Sequence, residues 1–120
     1  MLNLQVERIG ELAVIKCQGR IVRSEAAYKL RETVRSLQEA RTIVLDLSQV
    51  SAVEGGGLGM IVFLEQWAHD RDLQLKLFNP TRSVRVRLDD AGPLTGFNFA
   101  TTREMMALWA DAESRFGLVA

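Results

Sequence analysis

An apolar strand pattern is followed closely by three glycines and then by an apolar helical pattern, and this order constrains the fold most strongly. Residues Ile43 to Leu47 are mainly aliphatic and β-branched, which is typical of a buried strand. From Leu58 onward, apolar side chains recur at helical spacing. The glycines therefore lie where a strand ends and a helix begins. Such turns are typical sites in α/β proteins, because a helix start has free N–H groups and glycine lets another molecule approach the backbone.

The length and composition predict one globular domain spanning residues 1–120. The chain is 48% hydrophobic and 25% charged, and its 15 basic residues balance its 15 acidic residues. A balanced charge gives no field that would gather nucleic acid or an anionic membrane surface, so neither is an expected partner. The longest apolar stretch, from Leu58 to Leu64, is far shorter than the roughly 20 residues of a membrane span. With no export signal at the N-terminus, we expect a cytoplasmic protein without direct membrane insertion.

The residues that carry most enzyme and metal chemistry are sparse. The one cysteine, Cys17, lies in an apolar strand pattern, which predicts a buried side chain and favours a reducing compartment. The one histidine, His69, comes at the end of a predicted helix among charged neighbours, as expected of a solvated turn. One cysteine and one histidine cannot supply the common zinc sets. We therefore predict no catalytic residues, no cofactor and no metal site.

The remaining periodicity gives the order of elements along the chain. The first half predicts a hairpin of strands Leu4 to Ile9 and Leu12 to Cys17, a helix capped by Ser24, the strand from Ile43, and a helix ending near His69. A strand from Leu73 to Phe78 follows and ends at Asn79-Pro80.

The segment from Ser83 to Ala91 fits either a strand or a helix. We predict a helix capped by Ser83 and ended by Gly92-Pro93, because it continues the alternation of strands and helices. A short strand, Phe97 to Phe99, then precedes a capping box formed by Thr101 and Glu104. The last helix carries the strongest amphipathic stripe of the chain, namely Met105, Leu108, Trp109, Ala112 and Phe116. The order ββαβαβαβα predicts a mixed, mainly parallel sheet with an N-terminal hairpin and about four helices.

This order and three short motifs resemble the STAS domain family, whose best-known members are bacterial anti-sigma factor antagonists. The motifs are Asp46-Leu47-Ser48, the turn Glu54-Gly55-Gly56-Gly57-Leu58-Gly59, and the late strand beginning Gly96-Phe97. The resemblance extends from Leu4 to about Ser114. It implies a STAS-like fold and a regulatory role in partner switching, in which the antagonist binds an anti-sigma factor that is also a serine kinase.

The chain departs from the family pattern at the phosphorylation site. The antagonists' turn typically reads Asp-Ser-Ser-Gly-Leu-Gly, and the kinase phosphorylates its second serine, which causes release. Glu54 matches the aspartate, Gly55 the first serine and Gly56 the phosphoacceptor. Glycine has no hydroxyl, so position 56 cannot be phosphorylated, and one carboxylate at Glu54 does not replace a phosphate of about −2 charge. The nearest hydroxyl, Ser51, precedes the turn, where we expect a buried or capping serine.

The resemblance and the residues together predict a protein-binding module without the phosphate switch. The predicted partner-binding residues are Glu54, Gly55, Gly56, Gly57, Leu58, Met60, Phe63 and Trp67. The last three cluster within about 60° on a helical wheel, and Trp67 is the one we would test for an exposed patch. The alternative is that these apolar side chains pack in the core.

Two other functions stay open at this stage. A STAS-like chain could be an accessory subunit of a membrane transport complex. The turn from Gly55 to Gly59 could also bind a nucleotide or phosphate, although it matches neither the P-loop nor the dinucleotide fingerprint. Arg82, Arg85 and Arg87 form the only basic concentration, and they do not share one face, so we expect a solvated surface. The residues do not indicate an oligomeric state.

Overall fold

The computed structural model describes residues 2–22 and 24–115, apart from the side chains of Ser24 and residues 92–95. The predicted element order is confirmed. The elements are β1 Leu2–Ile9, β2 Leu12–Ile21, α1 Ser24–Arg35, β3 Thr42–Val53, α2 Gly56–Asp70, β4 Gln74–Phe78, α3 Arg82–Thr95, β5 Phe99–Ala100 and α4 Thr102–Arg115. The predicted cap at Ser24 and the stripe residue Phe116 lie outside the described side chains.

The five strands form one sheet in the order β1-β2-β3-β4-β5. The β1–β2 hairpin is antiparallel and closes with Ile9 opposite Leu12. Every other neighbouring pair is parallel, which confirms a mixed, mainly parallel sheet. The glycine at the hairpin turn, Gly10, has φ 56°, a conformation that glycine adopts at little cost.

The sheet separates two layers of helices. On one face, Ile43, Leu45 and Leu47 of the central strand β3 are fully buried in the core formed with α1, α2 and α3. On the other face, Val44 packs with Ala112 of α4. The alternation of side chains along β3 therefore supplies both cores.

The strand boundaries differ from those predicted because pairing, rather than hydrophobicity, sets where strands end. β2 continues past Cys17 to Ile21, where it pairs with the end of β3 through two register shifts. Polar and glycine residues at this end weaken the sequence pattern without breaking the ladder. β5 is Phe99–Ala100 rather than Phe97 to Phe99.

The segment after Pro80 is a helix, as predicted, but its ends differ. Val84 and Leu88 are buried against the sheet, which decides between the helical and strand patterns. The hydroxyl of Thr81, not of Ser83, accepts the hydrogen bond of the Val84 N–H, at 3.4 Å. The helix continues through Gly92-Pro93 to Thr95, so the prediction that these two residues end it is wrong. Pro93 lies in the last turn, where it removes one N–H donor of the helix.

Cys17 is buried, as expected of a strand residue. Its Sγ lies 3.7 Å from the Ile15 carbonyl oxygen. Burial, with a smaller contribution from the charge of Asp46, raises the pKa of the thiol to about 12. The thiol is therefore protonated at neutral pH and a poor nucleophile.

The predicted capping box begins α4. The Glu104 N–H donates to Thr101 Oγ1 and the Thr101 N–H donates to Glu104 Oε1, both at 3.0 Å. The backbone and side-chain hydrogen bonds with Thr101 lower the pKa of Glu104. The carboxylate thus stabilises the helix start above its unfolded pKa, and the effect is lost as the pH falls through the folded pKa.

We expect Thr101→Ala to lower the free energy of unfolding by about 1 kcal/mol, because an N–H at the helix start loses its acceptor. Chemical denaturation at neutral pH measures the change, and Thr102→Ala, at the next exposed position, is the control. The difference between wild type and Thr101→Ala should shrink as Glu104 becomes protonated in acid. Equal losses in the two variants would show that the capping box is not the cause.

Candidate partner-binding site

The turn between β3 and α2 lies at the carboxyl end of the central strands. The Glu54 N–H donates to the carbonyl oxygen of Ile21, at the end of β2, at 3.2 Å. Gly55 precedes the helix with φ 53°, in the left-handed region that favours glycine. Glu54, Gly55 and Gly56 are all exposed. The chain therefore presents a short run of exposed backbone before α2 turns inward.

Gly57, one of the predicted partner-binding residues, is buried, which leaves it little surface for a partner to contact. A Cβ atom at this position would lie 1.7 Å from the carbonyl oxygen of Ile21. The helix start packs directly against the end of β2, and only glycine leaves room for that contact. No local pattern in the sequence indicates this contact, since the two residues are far apart along the chain.

Gly56 and Gly59 are glycines that the surrounding structure does not require. A Cβ atom at either position would meet no atom within 4 Å, and neither residue has a positive φ. Both are exposed on α2. A serine would therefore fit at position 56 without displacing a neighbouring atom.

The turn is not arranged as a phosphate cradle. The N–H groups of Gly57 and Gly59 already donate to the carbonyl oxygens of Glu54 and Gly55, each at 3.0 Å. The Glu54 carboxylate also adds a negative charge to this turn. A bound phosphate would meet few free donors and a repelling charge.

An arginine from α3 pairs with the carboxylate of the turn. Arg87 Nη2 lies 3.1 Å from Glu54 Oε1, and each side chain is about half exposed. Such an exposed pair contributes roughly 0–1 kcal/mol. Arg85 instead lies over the ring of Phe99, with Cζ 3.7 Å from the centroid, and pairs with Asp89. The arginines are therefore dispersed among separate contacts, and only Arg87 belongs to the site.

The apolar side chains of α2 divide between surface and core. Phe63 is 47% exposed, and Leu58 and Met60 are partly buried against the core. Trp67 is only 6% exposed, so the test for an exposed patch at this residue favours the alternative, in which the side chain packs in the core. Its ring lies beneath the guanidinium of Arg71, 4.9 Å from Cζ to centroid. Trp67 lines the floor of a shallow recess between the C-terminal ends of α1 and α2.

Ser51 is the hydroxyl nearest to the turn, and it is exposed rather than buried or capping. Its Oγ donates to the carbonyl oxygen of Gly19 across the β2–β3 pair, at 3.4 Å. The prediction failed because the strand continues past this residue to Val53. Its environment is therefore the carboxyl end of the central strand β3 and not a helix start.

The described residues supply no grouping that would suggest metal chemistry. Across residues 2–22 and 24–115, no three His, Cys, Asp or Glu side chains lie close enough together to hold a metal ion. His69 is exposed at the end of α2. In the same part of the chain, no helix is both long and apolar enough to span a bilayer.

The family profile of the STAS domain matches residues 3–107. This chain belongs to the STAS domain family. A comparison with curated proteins gave no significant match. Among solved structures, the anti-sigma factor antagonist SpoIIAA in its unphosphorylated form is similar, with 18% identity and a TM-score of 0.68 over 88% of this chain and 94% of that one. SpoIIAA from Bacillus is also known in its phosphorylated form.

Two further structures share the fold of this STAS domain. RsbS from Moorella thermoacetica, in a serine-to-glutamate variant, is 15% identical, with a TM-score of 0.71 over 92% of this chain and 97% of that one. SLC26A9 is 14% identical, with a TM-score of 0.65 over 90% of this chain and only 20% of that one. At these identities the likeness establishes the fold alone.

We expect Gly57→Ala to destabilise the domain by roughly 3 kcal/mol or more, because the new Cβ would force α2 away from Ile21. Gly56→Ala is the matched control, since the neighbouring position is open, and its free energy of unfolding should stay within about 0.5 kcal/mol of wild type. Urea denaturation followed by circular dichroism measures both. Similar stabilities for the two variants would contradict the close contact.

Proposed function

We propose that this STAS domain is a cytoplasmic, protein-binding regulatory module of the anti-sigma factor antagonist kind that lacks the phosphate switch. Its partner would be an anti-sigma factor with serine-kinase character, and the domain would perform no chemistry itself. The observation that carries the proposal is Gly56, which is exposed, sterically open and without a hydroxyl. If the resemblance of the sequence to the antagonists holds at this turn, Gly56 stands where they carry the phosphoacceptor.

The physical consequence of Gly56 is a constant charge at the turn. A phosphate at the start of α2 would add about −2 charge and would repel or rearrange a bound partner. Without a hydroxyl at position 56, the charge there stays that of Glu54 and its ion pair with Arg87. The domain would then stay competent for binding whatever the ATP level.

The shape of α2 supports a partner that approaches the backbone closely. Gly56, Gly59, Met60 and Phe63 share one face of the helix at i, i+3, i+4 and i+7. The two glycines leave a strip without side chains, and Phe63 projects from its far end. We name this strip, together with Glu54 and Gly55, the α2 surface. Gly57 and Trp67 are excluded from it because they are buried.

The α2 surface has the composition of a small interface. An exposed aromatic ring supplies a large apolar area at low entropy cost, and such residues commonly dominate binding energy. Glu54 and Arg87 place a polar pair at the rim, where charges guide the orientation of the partner. The surface therefore combines one apolar anchor, accessible backbone and a polar edge.

A second candidate is an accessory subunit of a membrane transport complex. It is favoured by the similarity to SLC26A9, a chain about five times longer in which this fold forms a part. The same α2 surface would serve in that role. Purification from the host distinguishes the two candidates, since one predicts a soluble kinase-like partner and the other a membrane complex.

We expect Gly56→Ser to restore phosphorylation by the kinase partner, because a serine fits the open position. Mass spectrometry after incubation with that kinase and ATP measures it, and the phosphorylated variant should release the kinase. Gly59→Ser is the matched control, equally open and exposed but outside the phosphoacceptor position, and should stay unmodified. Stoichiometric phosphate on wild-type Ser48 or Ser51, with release of the kinase, would contradict the proposal that the domain lacks a phosphate switch.

We expect Phe63→Ala to weaken binding of the partner by about tenfold or more, because it removes the apolar anchor. The free energy of unfolding should change little, since the side chain is half exposed. Tyr28→Ala removes an exposed aromatic ring from α1 and should leave the affinity unchanged. Titration calorimetry measures the affinities, and equal effects at Phe63 and Tyr28 would argue against the α2 surface.

A further inference from the structure

The apolar side chains of the amphipathic helix α4 are only partly buried. Of its described side chains only Ala112 is buried, while Met105, Leu108 and Trp109 are partly exposed. Met106 is 67% exposed. Among the helices described, α4 alone covers the second face of the sheet. Within residues 2–22 and 24–115, its apolar surface therefore has no neighbouring helix on either side.

An apolar groove runs along this helix. It has a volume of about 370 Å³ and is lined by Phe78 at the end of β4 and by Met105, Met106 and Trp109. Glu113 lies at one end of the groove and is partly buried. An apolar groove ending in a carboxylate would fit an apolar helix that also carries a positive charge.

Two charged residues of α4 lack partners among the described residues. Arg103 and Glu113 form no ion pair or hydrogen bond there, whereas Asp111 and Arg115 on the same helix pair at 3.0 Å. Ten positions separate Arg103 from Glu113, which corresponds to about 15 Å along a helix. The two side chains therefore cannot pair within one copy of the chain.

We propose that α4 is the interface of a two-fold symmetric dimer of this chain. Two antiparallel copies of α4 that cross near Leu108 bring Arg103 of each copy beside Glu113 of the other, since both residues lie five positions from that centre. The same arrangement places Met106 and Trp109 of each copy against the groove of the other. One symmetry operation thus covers the apolar surface and pairs both free charges twice.

The charge pattern distinguishes a second copy from an unrelated partner. Arg103 and Glu113 lie within about 80° of each other on the helical wheel, with Met106 between them, so one symmetric copy can contact both charges and the apolar side chain. The α2 surface lies on the opposite face of the sheet. The dimer therefore leaves the proposed partner-binding site free, and the two can be tested separately.

Analytical ultracentrifugation over a wide concentration range tests the dimer. We expect wild type to show a reversible monomer–dimer equilibrium. Met106→Glu should weaken it by tenfold or more without unfolding the exposed helix position, which circular dichroism verifies. Tyr28→Glu, which alters an exposed apolar residue on the other layer, should leave the equilibrium unchanged. A wild type that stays monomeric at millimolar concentration, or a dimer insensitive to Met106→Glu, would overturn the proposal.

A charge-reversal experiment tests the antiparallel arrangement itself. Arg103→Glu and Glu113→Arg each create two like-charge contacts in their own dimer, so each variant alone should dimerise several-fold more weakly than wild type. An equimolar mixture restores both opposite-charge contacts in the heterodimer and should associate about as strongly as wild type. A mixture no stronger than the separate variants would exclude this pairing.

Discussion

The contact between Gly57 and the Ile21 carbonyl is the constraint on which the site depends. It lets α2 begin directly against the end of β2, and the adjacent Glu54 N–H donates to the same oxygen. The Ile21 carbonyl oxygen accepts the hydrogen bond before the helix and lies against Gly57 within it. These two contacts position residues 54–56 at the surface, where only Glu54 carries a side chain. A Cβ at position 57 would displace the helix and with it the surface that presents Gly56 and Phe63.

The three glycines of the turn have three different physical causes. Gly55 adopts a positive φ, and Gly57 gives up a side chain to close packing. Gly56 has neither reason, since its backbone is ordinary and its surroundings are open. The fold would therefore accept a serine at position 56, and the missing hydroxyl is not a requirement of folding. Since neither backbone conformation nor packing requires glycine at position 56, its role there is better explained by function.

Local signals in the sequence were sufficient for the element order but not for the details of the site. The capping box at Thr101 and the alternation within β3 depend on neighbours a few residues apart, so they could be predicted. The burial of Trp67 depends on α1 and Arg71, and the pairing of Arg87 with Glu54 joins residues 33 positions apart. No periodicity encodes such contacts. Helical spacing grouped Trp67 with Phe63, but packing against α1 put them in different environments.

The two faces of the sheet are covered by helices to different extents. Three helices cover the first face, and their shared core includes the fully buried Leu30, Ile61 and Leu88. A single helix covers the second face, so the apolar stripe that made α4 conspicuous in the sequence stays partly exposed. The sheet does not bury the whole stripe, since Met105, Leu108 and Trp109 are each only partly buried. A helix with excess apolar surface and symmetric free charges gains most from a copy of itself, which links the pattern in the sequence to assembly rather than to folding alone.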